Sequence, residues 1–282
     1  MTSYTMKQAV LVNLGGIEKP TDIPVFLFSM FNDKHIMPLK QPFRAMVAFI
    51  ITLLRAKKTY NILKLSPSPL VRITKRQAEK LSIKTNKHIT YGFSYSKPYF
   101  NDCEGTFIVM QNFYSHTTHG KVLELKRTKP PLCIHKGFFE LFESRINNAL
   151  KNHPNAAILL SAHSLPLKLL KKTNDPYRND LEVFRLALSR ILKKPIYLSF
   201  QSRLGPIEWL KPETEKEIKR LSKHYTELII LPVSFTTDNT ETIVEIDRAY
   251  TKIAKDCGFR WIKRVNCFND DGDFIEFLAS IL

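Results

Sequence analysis

Cysteine is scarce and scattered in this 282-residue chain: Cys103, Cys133, Cys257 and Cys267 form no C-x-x-C pair. That spacing writes neither a zinc knuckle nor a local iron–sulfur motif, and leaves free thiols in a reducing compartment as the expectation. No apolar run approaches the ~18 residues a membrane span needs. From Met1 the chain passes through polar residues straight into Ala9-Val10-Leu11-Val12, without a signal-peptide pattern, so a cytoplasmic protein is expected. Acidic residues are few, 26 against 43 Lys and Arg, a formal charge of +17. Such a surface repels itself unless something anionic is near: nucleic acid, an anionic membrane face or an anionic small molecule. No zinc-finger, RNP or bZIP signature accompanies the charge, so a nucleic-acid partner is not expected, and a solvated lysine-rich surface is the plain alternative. The first glycine turn, Leu14-Gly15-Gly16, lacks the G-x-G-x-x-G fingerprint, which removes dinucleotide binding.

What is present is apolar and periodic. Hydrophobic residues make up 44% and aromatics 11%, enough for real cores. Strand-like runs are expected at 9–14, 89–95, 107–113, 156–162, 195–200, 227–235 and 260–266, and they alternate with helical patterns, clearest at 136–152, 181–193, 212–224 and 241–257, with a short closing helix at 274–282. That alternation predicts an α/β protein with parallel sheets, in two halves that divide near 127–136. Residues 43–63 stand apart, being apolar nearly all round from Met46 to Leu54 and flanked by Arg44, Arg55, Lys57 and Lys58. The stretch reads either as a helix buried on several sides or as one with a face open to a membrane or a greasy pocket.

Two segments carry the chemistry. Leu160-Ser161-Ala162-His163-Ser164-Leu165-Pro166 puts an imidazole at the end of one apolar strand, and Asp238-Asn239-Thr240-Glu241-Thr242 puts a carboxylate just after another. The carboxyl edge of a parallel sheet is where α/β proteins bind ligands, so His163 and Glu241 are candidates for proton transfer or metal handling. The second segment also reads as a helix start, with Asp238 or Asn239 as cap and Glu241 stabilised by the helix dipole. Glu241 and Glu245, four apart, repel unless a cation or protons join them.

Together with Val10–Gly16, Ser66-Pro67-Ser68-Pro69-Leu70, Tyr114–Thr118, Asp175-Pro176-Tyr177, Phe200-Gln201-Ser202-Arg203, Trp209-Leu210-Lys211-Pro212, Glu245-Ile246-Asp247 and Asn269-Asp270, these segments resemble ferrochelatase, which inserts ferrous iron into a porphyrin at the last step of haem synthesis. The resemblance spans most of the chain. It implies two Rossmann-like domains, 1–135 with a hydrophobic active-site lip and 136–282 carrying His163 and Glu241, with a chelatase-like cleft between them and the last helix packing back on the first domain. By it His163 and Glu241 are the catalytic and metal-contacting pair, Glu245 and Asp247 extend a proton or metal relay, and Leu14, Ile36, Met37, Tyr95, Phe235 and Trp209 surround the porphyrin. It also shifts 43–63 toward partial exposure, as part of the lip with Pro38 and Leu39. A free-base porphyrin must lose two N–H protons as iron enters, and a neutral imidazole near its ordinary pKa suits that task.

Fe2+ is then a substrate, with no organic cofactor and no iron–sulfur cluster expected; the expected partners are porphyrin, iron and an anionic membrane face met peripherally, and a monomer is expected. Departures from the family pattern are specific. Ser94 stands where the family has Arg before Tyr95, Asn239 where some relatives have His, and 63–67 lacks the usual glycines. About a dozen residues between Tyr95 and Phe107 are too few for a crossover helix, so that stretch is expected to be irregular. Leu14 takes the position where coproporphyrin-using members carry Tyr, which favours protoporphyrin IX. The alternatives are a coproporphyrin III ferrochelatase, a non-catalytic porphyrin or haem carrier on the same scaffold, and a sirohydrochlorin chelatase, for which the apolar lip is a poor match.

Overall fold

Among the described residues seven strands form, each within one of the apolar runs or overlapping it, and all pair in parallel. The computed structural model describes residues 9–65 and 68–282. They fall into two compact units, one made of the chain up to Gln111 with Ser115–Pro131 and Asn269–Leu282, the other of Asn112–Tyr114 with Leu132–Phe268.

The first unit holds β1 (Ala9–Asn13), β2 (Ile89–Phe93) and β3 (Thr106–Val109) in the order β2-β1-β3. The central strand is buried along its whole length, as a strand covered on both faces must be. Around the sheet lie α1 (Ile23–Phe31), α2 (Phe43–Leu65), α3 (Leu70–Thr85) and the short α4 (Lys121–Leu123). No helix joins β2 to β3: the stretch 94–105 consists of bends and one 3-10 turn at Phe100–Asp102, as the short spacing requires. That turn lies so close to the sheet that a Cβ on Gly92 would sit 2.6 Å from the Phe100 Cα. Of the motif Ser66-Pro67-Ser68-Pro69-Leu70, Ser66 and Pro67 lie outside the described residues.

Helix α2 is two-faced. Ala48 is buried against the α1 cluster of Ile23, Leu27 and Phe31, and Thr52, also buried, donates to the Ala48 carbonyl at 2.8 Å. Phe43, Met46, Phe49, Ile50, Leu53 and Leu54 are exposed, Leu54 by 76%. The sequence left burial and exposure open, and the structure has exposure on one side. Among the described residues no helix is long and apolar enough to cross a membrane.

The second unit holds β4 (Ala157–His163), β5 (Ile196–Gln201), β6 (Glu227–Pro232) and β7 (Trp261–Arg264) in the order β5-β4-β6-β7. Helices α5 (Lys136–Leu150), α6 (Leu167–Thr173), α7 (Tyr177–Leu192) and α8 (Thr214–Leu221) accompany it, followed by a π-helix, Glu241–Tyr250, that runs into α9 (Thr251–Asp256). One sheet face is covered by Ile218, Leu221, Ile246, Ala254 and Phe259. A ring cluster adds Phe113, Phe138, Phe142, Phe184 and Phe268, with centroids 4.9–6.0 Å apart in edge-on and tilted pairs. The chain then returns to the first unit, where α10 (Gly272–Ser280) packs on α3 and Asp270 accepts from Arg76 and Lys80.

Candidate active site

His163 is the last residue of the central strand β4, and the sheet fixes it before any side chain is considered. It lies opposite Gln201 at the end of β5. Its amide donates to Ser234 Oγ at 3.0 Å, its carbonyl accepts from the Tyr177 hydroxyl at 3.0 Å, and the two hydroxyls meet at 2.6 Å. These bonds hold the backbone and leave the ring to other partners. The Phe235 ring stands edge-on to the imidazole at 6.3 Å.

Glu241 comes from the first turn of the π-helix. Asn239 caps that turn, its Oδ1 accepting from the amides of Glu241 at 2.8 Å and Thr242 at 3.3 Å, while Asp238 pairs instead with Arg264 at 2.6 Å. Asn239 is thus occupied in building the helix start. The cap brings Glu241 Oε2 to 2.9 Å from His163 Nδ1. Gln201 Nε2 lies 3.5 Å from the same oxygen and Ser202 Oγ 2.6 Å from it. About a third of each partner's side chain stays exposed, 35% for His163 and 31% for Glu241.

The electrostatics follow from this packing. Burial pushes the His163 pKa down, but the charge and hydrogen bond of Glu241, with the charge of Glu245 behind it, outweigh burial and hold it above 6.5. Burial likewise lifts Glu241, and the His163 charge with the Ser202 and Gln201 hydrogen bonds outweighs it in the other direction. A carboxylate on Nδ1 leaves Nε2 as the ring nitrogen able to take a proton from outside the pair.

The remaining expected residues divide into two groups. In the second unit, Glu245 reaches Ser202 Oγ at 2.5 Å and so joins the pair, and Phe235 flanks the imidazole. Trp209 is half-buried and bridges antiparallel to Pro166, three residues beyond His163. Asp247 turns away: six residues on from Glu241, its carboxylate holds Arg264 at 2.6 and 3.0 Å. The structure therefore does not bring it to the Glu241–Glu245 ridge.

In the first unit, Leu14 follows β1 and its carbonyl accepts the Tyr95 amide at 3.1 Å. Ile36 and Met37 are half-buried, and both their amides bond to the Asp33 carbonyl. Tyr95 is 2% exposed and its hydroxyl donates to Asp33 at 2.9 Å. Lys121 Nζ lies 2.9 Å from Asp33, 3.2 Å from the Ser94 carbonyl and 4.1 Å from the Tyr95 ring centroid. A cation from α4 therefore stands beside Ser94. Sequence reading assigned no role to Ser202, Ser234 or Tyr177: the two serines lie in loops, where polar residues carry no periodic signal, Tyr177 opens α7, and their side-chain partners lie dozens of positions away.

The ferrochelatase family profile matches residues 7–282. Ferrochelatases of Synechocystis, Rickettsia conorii and Campylobacter concisus are 32%, 34% and 31% identical, covering 97%, 97% and 98% of this chain and 81%, 88% and 97% of their own. Among solved structures, CbiX, the terminal enzyme for biosynthesis of siroheme in denitrifying bacteria, aligns with a TM-score of 0.59 at 12% identity over 97% of both chains. SirB from Bacillus subtilis with Fe3+ aligns at 0.55 and 11% identity, over 98% of this chain and 94% of that one. At those identities the likeness concerns the fold, an α/β chelatase architecture. The chain belongs to the ferrochelatase family, the lyases that insert metal into porphyrin for haem synthesis.

Proposed function

We propose that this protein inserts Fe2+ into protoporphyrin IX, with His163 as the base that takes pyrrole protons and Glu241 as the partner that orients the ring and stabilises the imidazolium. The observation that carries the reading is the 2.9 Å contact between His163 Nδ1 and Glu241 Oε2 at a strand's carboxyl end. A base must lie within hydrogen-bond reach of the proton it takes, and the Glu241 contact, outweighing burial, strengthens the imidazole's hold on that proton. Ferrous iron is the second substrate. Glu241 and Glu245 give it an anionic approach, and as hard oxygen donors beside one imidazole they suit a metal that must be surrendered again. Leu14 supports the protoporphyrin choice, since it leaves an apolar surface where a coproporphyrin enzyme of the family carries a hydroxyl.

The exposed face of α2, with Arg44, Arg55, Lys57 and Lys58 beside it, suits peripheral attachment to an anionic membrane, where an apolar porphyrin partitions. Anaerobic turnover with Fe2+ and either protoporphyrin IX or coproporphyrin III tests the substrate assignment. Faster insertion into protoporphyrin IX is expected; a preference for coproporphyrin III would overturn that choice, and stoichiometric binding without metallation would make the protein a carrier.

A further inference from the structure

A cleft of about 370 Å³, within the size range of small-molecule sites, opens on the outer edge of the second sheet, where α7, the edge strand β5 and Lys211 with Pro212 line it. Strand β5 stands first in the order β5-β4-β6-β7, and its outer edge has no partner strand, only an isolated bridge from Phe200 to Glu213. The Gln201 carbonyl accepts the Ser164 amide at 2.8 Å and so faces β4. Alternate residues of a parallel strand direct their N–H and C=O to opposite edges, which turns those of Ile196, Leu198 and Phe200 outward. Two of these residues are engaged there: the Ile196 carbonyl accepts from Arg185 Nη1 at 2.9 Å, and the Phe200 amide donates to the Pro212 carbonyl at 2.8 Å. Between them the backbone of Leu198 meets the cleft, and an amide so placed needs water or a ligand as its acceptor.

The charges around this amide are of one sign. Arg178, Arg185 and Lys211 line the cleft against a single carboxylate, Glu182. That carboxylate is already taken: Arg185 donates to both its oxygens, at 3.0 and 2.5 Å, and this fork is the main cause that holds its pKa below 4.5. Glu213, whose carboxyl feels the charge of Lys211, is held by Arg203 at 2.7 Å and Lys216 at 3.0 Å. Arg178 and Lys211 are left exposed, and among the described residues neither makes a hydrogen bond or an ion pair. We propose that the cleft binds a small organic oxyanion, a carboxylate or a phosphate ester on a short apolar body. Arg178 and Lys211 pair with the charged group, the Leu198 N–H donates to it, and Ile196, Phe200 and Pro212 pack on the body. A guanidinium fork with an ammonium and a backbone N–H supplies the donors that such a group accepts from, and the apolar wall gives the body a place out of water.

None of the residues that line the cleft belongs to the His163 site, so the proposal stands apart from metal insertion and its test needs no turnover. Phenyl phosphate and phenylacetate are the probes, with inorganic phosphate and phenol as the charge-only and body-only controls. Each is titrated into the isotope-labelled protein while the backbone amide resonances are followed by NMR. At least one of the two probes is expected to shift the Leu198 amide saturably, with millimolar affinity or tighter, and the tighter of the two names the oxyanion class. Binding should weaken as ionic strength rises. Arg178→Gln combined with Lys211→Gln removes two exposed, unpaired charges, so the melting temperature should hold while affinity falls about tenfold or more. A Leu198 amide that neither probe moves, undiminished affinity in the double variant, or phenol binding as tightly as the charged probes would overturn the site. Inorganic phosphate binding as tightly as phenyl phosphate would overturn the part assigned to the apolar wall.

Discussion

Replacing Lys121 by Met tests whether Lys121 holds the buried charge of Asp33 in the first unit. Asp33 and Lys121 side chains are 6% and 19% exposed and meet at 2.9 Å. Removing one member of a buried pair costs roughly 3–5 kcal/mol when the other is stranded. Asp33 is not fully stranded, since it keeps the Tyr95 hydroxyl at 2.9 Å, the His35 amide at 2.8 Å and the His35 ring at 2.9 Å. The loss should therefore fall nearer 2–3 kcal/mol, about the value of a charge-assisted hydrogen bond with its desolvation. At roughly 2–4 °C per kcal/mol for a protein of this size, melting should drop by about 5–10 °C at neutral pH. Burial lifts the Asp33 pKa, but the hydrogen bond and charge of Lys121 with the His35 contacts outweigh it and hold it below 3.8. A depressed carboxylate contributes stability above its unfolded pKa and loses it as pH falls through the folded one. The variant raises that folded pKa, so its deficit should be full at neutral pH and shrink once pH falls below about 4. Thermal unfolding followed by circular dichroism at both pH values, with Asp33→Asn closing a double-mutant cycle, measures this. An equal loss at both pH values, or a coupling near zero, would refute it.

Other consequences are as specific. Glu241→Gln leaves burial as the dominant influence on His163, so its imidazole titration, followed by NMR, should move from above 6.5 to below it; a midpoint that stays put would show that Glu241 does not set it. Gly92→Ala places a Cβ 2.6 Å from the Phe100 backbone and should cost at least ~1–3 kcal/mol, read by urea unfolding; a neutral effect would mean the turn at 100–102 moves freely. Leu53→Asp with Leu54→Asp should cut co-sedimentation with anionic liposomes about tenfold or more without lowering the melting temperature, because both side chains are already exposed; unchanged binding would exclude the α2 face as the attachment surface.

Much of the fold was legible because its signals are local. The runs at 156–162 and 227–235 are apolar enough to be buried strands and nothing else, and β4 and β6 lie within or across them. Helix α3 was not singled out because a third of its buried residues are polar: Thr74 accepts from Asn13 Nδ2 at 3.1 Å and Gln77 donates to the Asn269 carbonyl at 2.6 Å, contacts that interrupt the apolar period. Helix α1 is short and apolar all round, which periodicity cannot separate from a strand. The 241–257 helix was foreseen, but its π turn was not, since hydrogen bonds closing at i+5 leave no compositional mark.

The site shows the same division. His163 and Glu241 could be picked out from sequence as candidates because each stands beside a strand's carboxyl end, while their pairing was implied by the family resemblance. Asp247 illustrates the limit: three carboxylates at 241, 245 and 247 read as one ridge, yet Arg264, arriving from β7, claims the third. Ser202 shows the converse. Its contacts with Glu241 and Glu245 come from a left-handed backbone that serine gives no reason to expect.

The most direct test of the account is anaerobic insertion of Fe2+ into protoporphyrin IX by wild type and by His163→Ala, with porphyrin affinity measured alongside. The account predicts many turnovers by the wild type and a loss on the order of 10²-fold or more in the variant, at nearly unchanged porphyrin affinity. Wild-type turnover in His163→Ala would remove the imidazole from the chemistry and contradict the account at its centre.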